Sequence, residues 1–243
     1  MGKTEGDVAV MDEVKEKRGK KEPKEKDLRP LSESLVKYLV HLKFTSPILG
    51  SAPSNKEVYA TYVAAKKAEA TPEDIANETA LIPEDFEKQG KTIFRVDPDT
   101  KNLIFLPHMI RGFMKEAASA ITGKEITAYK SKIDKFAFVF PDKIFLMKDG
   151  KPIQSPDTDN QRPLKAMTAQ GPRISLLNSE QVNEGVEVEF EIHVLPLGQK
   201  DIDKAAITRW FEYGQYQGIS QWRNGGYGRF TFEITQTSPK EEE

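Results

Sequence analysis

The chain has 243 residues, 37% of them hydrophobic and 30% charged, a formal net charge of −2 and no cysteine. That length suits one large domain or two small ones, and the missing cysteines exclude disulfides, zinc ribbons and thiol nucleophiles. No apolar run reaches the roughly 18 residues a membrane span needs. The charged start lacks a signal-type apolar stretch, so a cytoplasmic protein with no membrane partner is expected. A protein that coats nucleic acid through bulk charge is usually basic, so any polyanion must here meet local positive charge.

Residues 1 to about 30 mix lysine, arginine and acids with almost no large apolar side chain. They read as a charged arm that is either a plain flexible tail or a segment docking on a neighbour. The acidic tail 239–243 reads as solvated. A single domain is expected over 31–238.

"VKYLVHLKF" alternates Val36, Tyr38, Val40, Leu42 and Phe44 with polar residues, the period of a strand with one buried face. Residues 55 to 90 read as one or two helical pieces in a peripheral insertion. Thr71 before Pro72 and Glu73 marks one helix start. "KTIFRV" and "NLIFLP" flank "DPDTK" as a short hairpin. "PHMIRGFMKEAASAI" carries Ile110, Phe113, Met114, Ala117 and Ile121 on one helical face. "KFAFVF" and "KIFLM" are strand-like, and a loop-like region follows. "VEVEFEIHVL" then alternates Val186, Val188, Phe190, Ile192 and Val194 with Glu187, Glu189, Glu191 and His193. The next segment opens on an Asp cap, buries Ile202, Ala206, Ile207, Trp210 and Phe211, and is expected to stop at Gly214. "RFTFEI" closes as a strand.

The main elements run βαββαβ, which predicts an α+β fold: an elaborated ferredoxin-like or RRM-like antiparallel sheet with helices on one face. Insertions fall at about 50–105 and 147–185.

Little here points to catalysis, and no enzyme and no cofactor are expected. His41, His108 and His193 lack metal-site spacing and read as surface or satisfied histidines. The carboxylates of "PDTD" (156–159) read as turn formers. Hydrolase, phosphate-loop, zinc-protease and dinucleotide fingerprints are all missing from the sequence.

Two acid-free windows stand out in an acidic chain. Gln161–Ser179 contains Arg162, Lys165 and Arg173, with Gln170. Tyr213–Phe232 contains Gln221, Trp222, Arg223, Asn224, Gly225, Gly226, Tyr227 and Arg229. Glycines let backbone N–H groups approach phosphate as a nest, arginines fork onto phosphate, and a ring stacks on an unpaired base. Trp222 is either such a platform or a core plug. The loop runs from a helix into a strand, the reverse of a nucleotide cradle.

"GISQWRNGGYGRFTFEI", "IFLPHMIRGFMKEAA" and the order of elements together resemble the RAMP superfamily, the RRM-like proteins of CRISPR effector complexes. "QRPLKAMTAQGPR" also looks like part of bacteriophage-encoded proteins, which suggests a stand-alone relative. The resemblance implies that Arg111, Arg223 and Arg229 meet a guide-strand backbone. It also implies that 147–185 forms a thumb-like hairpin carrying Arg162, Lys165 and Arg173 to a second contact. The expected function is non-catalytic binding of single-stranded RNA or DNA, in the manner of a guide-RNA backbone or phage single-strand-binding protein. The protein would act as a homo-oligomer or within a multi-subunit complex along the strand. The alternative is a phage structural or protein-interaction module with the same fold and no nucleic-acid binding.

Overall fold

The structure, a computed structural model, describes residues 30–66, 71–82, 90–168 and 171–238. The expected arm, apart from Pro30, and the expected tail lie outside the described residues. In chain order the elements are α1 (Leu31–Ser34), β1 (Val36–Phe44), β2 (Ile48–Leu49), β3 (Ala52–Pro53), α2 (Lys56–Lys66) and α3 (Pro72–Ala80). There follow β4 (Lys91–Ile93), β5 (Arg95–Val96), β6 (Leu103–Phe105), α4 (Pro107–Ile121), α5 (Tyr129–Phe136) and β7 (Ala137–Phe140). The rest are β8 (Ile144–Phe145), β9 (Met147–Lys148), β10 (Lys151–Pro152), β11 (Thr158–Thr168), β12 (Gly171–Val182), β13 (Glu187–Val194), α6 (Lys204–Gln217) and β14 (Phe230–Ser238).

The main sheet contains the antiparallel order β14–β1–β13–β7, with short β9 and β10 beyond β13. Counting β1, β7, β13 and β14 as first to fourth, this is the 4-1-3-2 arrangement of a ferredoxin-like βαββαβ sheet. Register follows from burying one face. Val40 faces Phe190 and Ile234 across its two partners, and Leu42 faces Val188 and Phe232. A one-residue slip would turn every apolar side chain outward.

Helices α4 and α6 cover that apolar face. Ile110, Phe113, Met114, Ala117 and Ala118 are buried on α4, and Ile207, Trp210 and Phe211 on α6. Phe113, Phe211 and Phe230 pack in a ring triangle with centroids 5.4–6.1 Å apart. The Trp210 indole N–H donates to Thr122 Oγ1 at 3.0 Å, so its full burial leaves no polar atom stranded.

Gly214 does not end α6, contrary to expectation; the helix runs on to Gln217 and Gly218 takes the cap, with φ 75°. A Cβ at Gly214 would sit 2.1 Å from Phe230 Cζ, so this glycine clears room for a ring. Helix α5 was not anticipated. Its sequence, YKSKIDKF, buries only Ile133, too weak a stripe to announce itself. Thr71 caps α3 as expected, in a reciprocal bond pair with Asp74.

The loop-like stretch before β13 is instead a long antiparallel hairpin, β11–β12, as the resemblance implied. Eleven residues of strand at about 3.3 Å each make a blade of roughly 36 Å. No apolar alternation marks it in the sequence, because the strands are polar and each contains a proline, Pro163 and Pro172. Strand β12 also pairs with β2 and β4, and β4 pairs with β3. Strands β3 and β4, on either side of the helical pieces in 55–90, thus buttress the hairpin's base. The expected "DPDTK" hairpin forms between β5 and β6.

Candidate nucleic-acid interface

The glycine-rich loop begins where α6 ends. Gly218 and Gly228, both at positive φ, face each other across its neck. Ile219 N donates to Gly228 O at 2.9 Å, and Gly228 N donates to Pro47 O at 2.9 Å. Cβ atoms there would lie 2.5 Å from Tyr227 O and 1.8 Å from Ile219 O, so only glycine closes the neck. Arg229 N donates to Ser46 Oγ, and Ser220 Oγ to Leu49 O, which fixes the loop to the turn after β1.

Inside the loop the backbone spends its own donors. Gly225 N bonds Trp222 O and Gly226 N bonds Arg223 O, at 2.9 and 2.8 Å. The nest of outward glycine N–H groups expected from sequence is thus not formed by Gly225, Gly226 and Gly228. Gly225 serves another purpose: a Cβ there would strike the Trp222 ring at 2.6 Å.

Trp222 is stacked on Tyr227, with centroids 4.9 Å apart and planes at 22°, and remains 39% exposed. The Arg162 guanidinium lies 4.6 Å from the indole centroid. Arg162 is 3% exposed, and its Nη1 donates to Ser179 Oγ and Asn160 Oδ1. Burial pushes its guanidinium below the usual value. Tyr227's hydroxyl accepts from Asn160 Nδ2 at 2.9 Å, and Gln221 Oε1 accepts from Thr92 and Ser179 hydroxyls. The two acid-free windows therefore meet. Arg162, Gln221, Trp222 and Tyr227 form the joint between loop and hairpin base, with the exposed part of the indole facing outward.

The remaining cations separate by partner. Arg223 is ion-paired to Glu116 on α4, and Lys115 to Asp134 on α5. Lys91 is paired with Asp159 and Lys143 with Asp97. The acids of "PDTD" are not the local turn formers expected: Asp157 accepts from Asn183 N, 26 residues on, and Asp159 lies within β11, because both sit where the hairpin's strands come together. Among the described residues, Arg111 and Arg229 form no ion pair. Arg229 is exposed, its guanidinium folded near Gly226, and Arg111 is half-buried in the second turn of α4. Asn224 is exposed, and its Oδ1 accepts from Gln217 at 3.4 Å. Lys165 and Arg173 lie toward the hairpin tip, at the pairs Lys165↔Ile174 and Ala166↔Arg173; their side chains and Gln170 lie outside the described residues.

Between α4, the loop and the inserted segment lies a cavity of about 650 Å³. Arg111 and Arg223 line it together with Arg95, Tyr59, Glu78 and Ser51 from the inserted segment. Arg95 was missed in the sequence. The available signal was its parity with Ile93 in "TIFRV", a charge on the same side as a residue 1% exposed.

The opposite, open face of the main sheet is chemically different. Glu187, Glu189, Glu191 and Glu233 occupy it with Lys37, Lys43, His41 and His193. His41 lies 3.6 Å from Glu187, and His193 Nε2 lies 2.6 Å from Glu191. No group of metal-ligating side chains occurs among the described residues.

No protein-family model matches the chain, and neither does any curated protein. Solved structures similar to it include a chain of the type III-B Cmr-beta complex bound to cognate target RNA, determined by cryo-EM. The TM-score is 0.45 at 11% identity, over 96% of this chain and 67% of that one. A chain of a type IV-B CRISPR complex gives a TM-score of 0.43 at 10% identity, over 85% of this chain and 93% of that one. The fold itself rests on the strand order and register described above.

Proposed function

We propose that the protein is a non-catalytic, RAMP-like binder of single-stranded nucleic acid that works as a multimer along the strand. The strand passes over the glycine-rich loop beside the first turns of α4 and the hairpin base. The observation that carries this is the distribution of free charge. Among the described residues Arg111 and Arg229 form no ion pair; Arg111 shares a cavity wall with Arg223, and Arg229 and the exposed indole of Trp222 belong to a segment, 213–232, whose sequence holds no acid. Guanidinium groups fork onto phosphates, and an exposed ring accepts an unpaired base. Each copy offers few phosphate contacts, so useful affinity comes from several copies on one strand.

Binding to labelled single-stranded RNA, single-stranded DNA and duplex over a salt series tests the proposal. Affinity for single strands that falls with salt, accompanied by quenching of Trp222 fluorescence, supports it. Folded protein that binds none of the three at low salt contradicts it. The second reading, a protein-interaction module without strand binding, draws on the acidic open sheet face and on Phe138 and Phe140, which are 38% and 43% exposed there. That result would favour it.

A further inference from the structure

Arg95 is 4% exposed, and each of its described hydrogen bonds goes to a neutral group. Its Nε donates to the Tyr59 hydroxyl at 2.8 Å, and Nη1 donates to Ser51 Oγ at 3.4 Å and Met109 Sδ at 3.6 Å. The guanidinium also lies 5.2 Å from the Tyr59 ring centroid. Among the described residues it forms no ion pair. Glu78 meets it through the Tyr59 hydroxyl, which donates to Glu78 Oε2 at 3.3 Å. A buried cation whose direct hydrogen-bond partners are neutral is costly, and an anion delivered to it recovers that cost.

The surroundings say which anion. Arg95 lines the cavity of about 650 Å³, within the size range of small-molecule sites and roomy enough for a nucleotide. Of the other cations on its wall, Arg223 is held by Glu116 and Lys115 by Asp134, while Arg111 has no ion pair among the described residues. Two guanidinium groups without carboxylate partners thus share one half-enclosed space. A phosphodiester brings one negative charge. A phosphate monoester, with a second pKa near 6, brings close to two at neutral pH and three oxygens for forked contacts.

We propose that this cavity binds a phosphate monoester, gripped by Arg95 and Arg111, with Tyr59 and Ser51 holding the Arg95 guanidinium in place. The monoester comes either from a free nucleotide or from the phosphorylated end of a strand. In the second form the inference rests on the strand-binding proposal and adds recognition of an end.

The test uses the full chain and labelled ten-nucleotide RNA and DNA carrying a 5′-phosphate, a 3′-phosphate or hydroxyl ends, with AMP and inorganic phosphate titrated separately. For a strand end, one phosphorylated form binds at least fivefold tighter than the hydroxyl form, and the ratio falls to about one in Arg95→Gln and in Arg111→Ala. For a free nucleotide, AMP binds with an affinity that both variants abolish, and strand ends make no difference. Equal affinity for all ends with no binding of AMP or phosphate overturns the inference, as does a preference that survives both substitutions. If Arg95→Gln fails to fold, Arg111→Ala, at a half-buried position on α4, decides. The hydroxyl-ended strand keeps the two proposals apart. Strand binding without any phosphate effect removes only the cavity site, whereas AMP binding without strand binding removes only the strand.

Discussion

The two outer faces of this sheet-and-helix core are built from the same kinds of residue and end with opposite chemistry. On the open sheet face, alternation places Glu187 and Glu189 opposite Lys43 and His41, with Glu191 opposite Leu39 and His193 opposite Lys37. Charges there pair across strands, and a net negative surface remains. Around the glycine-rich loop there is no acid from Tyr213 to Phe232, and the loop's cations are met only by what neighbouring helices supply. Glu116 reaches Arg223, but among the described residues no carboxylate reaches Arg229. The contrast teaches that a mildly acidic protein can still leave arginines outside ion pairs where the local sequence carries no acid.

Four changes should break or sharpen this contrast. The largest effect belongs to Arg111→Ala combined with Arg229→Ala, expected to weaken single-strand binding roughly tenfold or more at low salt. The slope of log affinity against log salt should flatten by about two. Lys37→Ala with Lys43→Ala on the sheet face, measured in the same titration, should change affinity less than about twofold. Next comes Trp222→Ala, which removes the stack on Tyr227 and the Arg162 cation–π contact. Urea unfolding should show a loss of about 1–3 kcal/mol. A smaller gain is expected from Glu116→Gln. Freeing Arg223 from its half-exposed ion pair should raise strand affinity about two- to fivefold, and the gain should vanish when Arg223→Ala is added.

The smallest effect is far from either face. Asp97 accepts from Lys143 and from the Thr100 hydroxyl and amide, contacts that hold its carboxyl down to about 2. Because the folded value lies below the unfolded one of roughly 4, the contribution is fully present above pH 4. It is lost as pH falls toward 2. Asp97→Asn should therefore flatten the acid limb of the stability curve between those values, read by thermal melts across pH, and leave melts at pH 7 without that carboxylate's help.

Much of the core was legible in the sequence because its strands alternate cleanly. Val186 to Val194 and Val36 to Phe44 announce one buried face each, and the Asp203 cap and Trp210 stripe announce α6. What stayed hidden depends on contacts between distant segments. Gly214 looks like a helix stop until Phe230, sixteen positions on, is seen to need its space. Trp222 and Arg162 each look like a nucleic-acid contact alone, and only the fold shows them spending part of that capacity on each other. Arg223 gave no hint of its bond to Glu116, 107 residues away. Short polar elements such as α5 and the hairpin strands carry too little apolar periodicity to be read locally.

The central claim is about which face meets the strand, and photo-crosslinking tests it most directly. Single-stranded oligonucleotides carrying 4-thiopyrimidines are irradiated with the protein, and the linked peptides are identified by mass spectrometry. The account predicts crosslinks within residues 218–229, the first turns of α4 and the base of β11–β12, lost in the Arg111→Ala, Arg229→Ala protein. Crosslinks on β1, β13 and β14 of the open sheet face, or none from folded protein at low salt, would contradict it.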